Sequence, residues 1–160
     1  MDSAEIDDVQ EFIRSVAYKF SRCSHRTINY FEIAEDFRIL SGARYVALNE
    51  VSDYGEYTTT KAIAGLKKNV KKASKIFGFS LTDAAYTIDP YIKKVFQAEG
   101  IVEFENLCTL AGSQIPKSIC EHTAAFFGLG KTYALGIFDH NGPIADLVFL
   151  CAKNHELQNR

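Results

Sequence analysis

Thr132-Tyr133-Ala134-Leu135-Gly136-Ile137-Phe138-Asp139, then His140-Asn141-Gly142-Pro143, then Ile144-Ala145-Asp146-Leu147-Val148-Phe149-Leu150-Cys151, is the stretch that decides the fold class. Two β-rich runs flank an Asn-Gly pair, whose ease in left-handed conformations suits the tight turn of a hairpin. Only antiparallel neighbours can be joined so closely, since parallel ones need a crossover of a dozen residues or more. A second hairpin precedes it. Residues 43–51 are β-rich, Asp53-Tyr54-Gly55-Glu56 is a turn, and residues 57–64 resume with Thr58-Thr59-Thr60 before Gly65 closes the unit. Two tight hairpins within an alternation of strands and helices predict an α+β fold with an antiparallel sheet of five or six strands and helices on both faces.

The helices follow from apolar spacing. Residues 6–20 carry Ile6, Val9, Ile13, Val16 and Phe20 at steps of three and four, a narrow seam suited to packing beside a second helix. Residues 27–40 place Ile33, Phe37 and Leu40 on one face, and Gly42 supplies a stop. In residues 66–77, Leu66, Val70, Ala73 and Phe77 share one side, while Lys67, Lys68, Lys71, Lys72 and Lys75 share another. Residues 79–88 are read as a strand, 90–98 as a short helix opened by Pro90, 100–103 as a brief strand and 103–113 as a helical turn and loop. Pro116 opens a helix over 116–127, stopped by Gly128 and Gly130.

The totals narrow the function classes. The chain has 160 residues, 47% apolar and 24% charged, which fits one globular core. A net charge of -2 gives no general attraction to nucleic acid or to an anionic membrane. With no run of the ~20 apolar residues that span a bilayer, and an acidic start at Asp2 and Glu5, a cytoplasmic location without membrane insertion is expected. Cys23, Cys108, Cys120 and Cys151 form no CxxC pair, so reduced and mostly buried thiols are expected.

The order of helix, helix, Ser41-Gly42-Ala43-Arg44-Tyr45-Val46-Ala47-Leu48, turn, second strand ending at Gly65, helical middle and closing hairpin at Asn141-Gly142 resembles a GAF domain. Residues 42–79, with their Lys-rich helix, and Ile115-Pro116-Lys117 resemble the GAF domains of archaeal sensory histidine kinases. The resemblance implies a two-component sensor module without catalytic machinery of its own. It also implies a small-molecule pocket enclosed by residues 66–127, and terminal helices that pass a signal to a kinase or other output domain. A homodimer is expected through the helix within residues 1–26, with the sensor domain over 27–152 and a C-terminal linker over 153–160.

Several constellations have plainer explanations. Gly128-Leu129-Gly130-Lys131-Thr132 looks like the tail of a phosphate-binding loop, but Ala125 stands where that loop needs glycine, and the order of strand and helix is reversed. The glycines are read as a helix stop feeding a strand. The lysines of 67–75 are read as a solvated face. His155-Glu156-Leu157 is too short a match to a phosphoacceptor box, with no downstream proline.

Cys120 and His122 are candidate haem ligands, of which helix geometry lets at most one face a pocket, because residues two apart point about 200° from each other. Otherwise the cofactor is open, and no metal site is expected. Candidate ligand-binding residues are Phe77, Phe79, Tyr86, Tyr91, Phe96, Cys120 and Phe127, from the unusually aromatic middle segment. Two alternatives stand beside the sensor: a structural dimerisation module with a filled interior, and an enzyme like the free methionine sulfoxide reductases, which needs an approachable, reactive cysteine pair.

Overall fold

The computed structural model describes Arg14 and residues 28–52, 55–65 and 67–158, with only the backbone of Lys67 and Tyr91. Apart from Arg14, the helix expected over residues 6–20, with the dimer element it carries, and Cys23 lie outside the described residues.

Helix α1 (Tyr30–Ser41) starts where the Asn29 side chain accepts the Glu32 N–H at 3.2 Å, satisfying one of the first-turn donors that have no partner within the helix. It stops at Gly42 in the left-handed conformation. Strands β1 (Tyr45–Val51) and β2 (Tyr57–Ala64) form the first hairpin. Helix α2 (Lys67–Phe77), strand β3 (Ala85–Thr87), helix α3 (Pro90–Gln97), strand β4 (Val102–Phe104), and helices α4 (Leu107–Ala111) and α5 (Lys117–Phe127) make up the middle of the chain. Strands β5 (Leu129–Asp139) and β6 (Gly142–Ala152) close it. The six strands lie in the order β3-β2-β1-β6-β5-β4, every neighbouring pair antiparallel.

The strand expected over 79–88 shrinks to Ala85–Thr87. Asp83 turns the chain with φ 63°, and its N–H donates to the Thr60 carbonyl at 2.7 Å, so only the residues after it run along β2. Gly65 holds a position that no other residue fits. Its φ is 130°, and a Cβ there would sit 2.4 Å from the Tyr45 ring.

Alternation along the strands gives the sheet two different faces. Val46 and Leu48 of β1 and Leu147, Phe149 and Cys151 of β6 pack with Ile33 and Ala34 of α1 in one buried cluster. Tyr45, Ala47 and Asn49, with Asp146, Val148 and Leu150, point the other way, toward α2–α5. Residues 153–158, expected as a linker, dock onto the first face. Leu157 is buried in its cluster, and the Gln158 N–H donates to the Ser41 carbonyl at 3.0 Å. Gly128 caps α5 in the left-handed conformation and β5 begins at the next residue, while Lys131 Nζ pairs with Glu103 at 2.8 Å and Glu156 at 2.7 Å. No helix among the described residues is long and apolar enough to cross a membrane.

Candidate functional site

Between the sheet and α2–α5 lies a cavity of about 170 Å³. Its helical wall is mostly apolar because the stripes of those helices turn inward: Val70, Ala73 and Phe77 from α2, Leu107 and Leu110 from α4, and Phe127 from α5, with Asn69 and Thr123 as polar members. Lys68, Lys71, Lys72 and Lys75 occupy more exposed positions on the other sides of α2. Lys72 Nζ lies 6.0 Å from the centre of the exposed Phe126 ring.

The sheet wall is different in chemistry. Thr60, Asn49 and Asp146 stand directly opposite one another across β2, β1 and β6, and Gly136 continues the row on β5. The Thr60 hydroxyl donates to Asn49 Oδ1 at 2.8 Å, and Asn49 Nδ2 donates to Asp146 Oδ1 at 2.7 Å. Asp146 is only 4% exposed, and its second oxygen, Oδ2, has no hydrogen-bond partner among the described residues. Burial pushes its carboxyl up to about 7, with the Asn49 N–H pulling the other way. Nearby, the Tyr45 hydroxyl accepts from Asn69 Nδ2 at 3.0 Å. Burial also raises the Tyr86 phenol, with a smaller contribution from Cys120.

Of the residues singled out from sequence, Phe77, Tyr86 and Phe127 line this cavity. Phe79, Phe96 and Cys120 are not among its lining residues. Phe79 follows Gly78 out of the helix and is 43% exposed, with its ring tilted against Phe77 at 5.6 Å. Phe96 packs edge-on against Phe138 at 6.2 Å. Tyr91 lies in α3 and its side chain is outside the described atoms. Asn49, Thr60 and Asp146 were missed, although an aspartate between Ala145 and Leu147 in a β-rich run was the available signal.

Cys120 is fully buried and His122 is exposed, so the two do point apart, and neither lines the cavity. Neither therefore stands where it could ligate a haem iron in the cavity. No cluster of three or more possible metal-ligating side chains occurs among the described residues. Burial first, and then the neighbouring Cys108 thiol, push the Cys120 thiol up to about 12, opposite to the shift that makes a thiol a nucleophile.

A six-stranded antiparallel sheet with one helix layer packed on its first face and a cavity under short helices on its second is the fold of GAF domains. Solved structures bear this out at low identity. The phycocyanobilin-bound GAF domain of a cyanobacterial phytochrome matches with a TM-score of 0.63 at 12% identity, over 94% of this chain and 83% of that one. The GAF domain of a phosphoenolpyruvate-protein phosphotransferase from Coxiella burnetii gives 0.62 at 8%, over 94% and 81%. The chromophore-binding domain of a bacteriophytochrome from R. palustris gives 0.60 at 10% over 96% of this chain, which spans 55% of that domain's length. No protein-family model matches the chain, and no curated protein matches it.

Proposed function

We propose that this chain is a sensory or regulatory GAF module, not itself an enzyme, that binds a small ligand between the sheet and α2–α5. The observation that carries the proposal is the cavity, bounded by apolar helices on one side and a hydrogen-bonded polar row on the other, the mixture by which small-molecule sites gain both affinity and orientation. Such a cavity also speaks against a purely structural dimerisation module with a filled interior. The solved neighbours add support, since their names include a chromophore-binding domain and a bilin-bound GAF domain.

The output is a change in the terminal helices of a homodimer, delivered to an attached kinase or comparable domain, with a two-component histidine kinase as the specific reading. A ligand biases those helices only by the difference in its affinity for their two arrangements. The test is native mass spectrometry of the purified protein, followed by a screen of single-ring fragments. A bound small molecule, or fragments that compete for one saturable site, is the expected result. An apo mass with no fragment bound at millimolar concentration would overturn the proposal.

A further inference from the structure

Asp146 is the only residue with a formally charged side chain among the described lining of the cavity; no lysine, arginine or histidine faces it there. The other titratable groups on that lining are the phenols of Tyr45 on β1 and Tyr86 on β3. A buried carboxyl without a countercharge is costly unless donors surround it. Here only one oxygen is served. The Thr60 hydroxyl gives its proton to Asn49 Oδ1, which directs the Asn49 amide N–H toward Asp146 Oδ1 and leaves Oδ2 without a partner. Beside it, Gly136 contributes no side chain; a Cβ there would lie 2.9 Å from the Phe138 ring and 3.1 Å from the Val95 carbonyl oxygen.

Resting on the sensory reading above, we infer that the ligand is a single-ring, otherwise apolar molecule that presents one N–H donor or protonated nitrogen to Asp146 Oδ2. The class follows from three observations: a volume of about 170 Å³ that suits one ring, apolar side chains over the ring, and one acceptor awaiting a donor. Thr60 and Asn49 act as positioning residues that hold the carboxyl in place.

Aniline and toluene have the same shape and differ in the N–H donor, and benzaldehyde presents an acceptor instead. Titration calorimetry at about pH 8, where the Asp146 carboxyl is mostly ionised, is expected to show aniline binding at least about tenfold more tightly than toluene, the weight of one hydrogen bond to a charged group. Asp146→Asn should abolish that preference while toluene binding and the melting curve confirm that the variant is folded; Asp146→Leu should do the same if the Asn variant unfolds. Equal binding of aniline and toluene, or aniline binding unchanged in Asp146→Asn, overturns the inference while leaving the sensory reading intact. Tighter binding of benzaldehyde than aniline overturns the donor class in the same way. No binding by any of the three overturns both.

Discussion

The two faces of the sheet are built from alternate residues of the same strands, yet they have reached opposite solutions. On the α1 face, Val46, Leu147 and Phe149 are almost completely buried in one continuous cluster that even the C-terminal Leu157 joins. Toward α2–α5 the apolar residues fall into two smaller clusters, one around Val95 and Leu110 and one around Tyr45, Ala73 and Phe127. The cavity is lined from both. The covering elements make the difference: α1 is a single twelve-residue helix laid on β1 and β2, whereas α2–α5 are four separate helices of 11, 8, 5 and 11 residues interrupted by β3 and β4, which bridge the sheet without filling it. One face is therefore filled, and the other keeps the cavity in which we propose that a ligand binds.

The largest effect should come from breaking the packed face. Phe149→Ala removes a 3% exposed ring that sits edge-on to Phe37 at 6.4 Å, and should cost about 3–5 kcal/mol in urea unfolding, as deep aromatic truncations do. Val148→Ala, one residue earlier and facing the cavity, should cost clearly less.

Next in size is the pH dependence contributed by Asp146. Its folded value near 7 lies above the ordinary 3.8, so the folded state holds the proton more tightly. The stabilisation is complete below the ordinary value and is lost as pH rises through that window, by up to about 4 kcal/mol for about three pH units at about 1.36 kcal/mol each. Asp146→Asn should flatten the slope between about pH 4.5 and about pH 8. Glu35, lowered chiefly by its hydrogen bond from Arg38, has the opposite sign: its contribution is present above the usual glutamate range and is lost as pH falls through its lowered folded value.

The smallest effect sharpens the contrast from the other side. Ala34 on α1 is fully buried, and Ala34→Leu should cost about 1–3 kcal/mol by overpacking. Ala47→Leu puts the same added volume on the cavity face and should change stability by less than about 1 kcal/mol while weakening ligand binding.

What the sequence made legible was the local part. Gly42 announces its cap through backbone preference, and both hairpins form as read, although the second turns at His140-Asn141, with Gly142 already paired to Asp139. The cavity's polar row is a matter of register between distant strands. Asn49 and Thr60 are 11 residues apart, but Asn49 and Asp146 are 97 apart, and no local signal joins them. Aromatic content found Phe77, Tyr86 and Phe127 on the lining, yet it could not tell them from Phe79, carried outward by the turn at Gly78, or from Phe96, held by Phe138. An aromatic residue marks burial or binding equally well, whereas an unpartnered buried carboxyl marks a site by its cost.

The most direct measurement is a methyl-resolved NMR titration with aniline, which reports on both faces at once. The account predicts saturable shifts at Val70, Leu110, Val148 and Leu150, with Ile33, Val46 and Leu147 unmoved. Shifts spread equally over both sets, or none at saturating aniline, would contradict the division of the sheet into a packed face and a binding face.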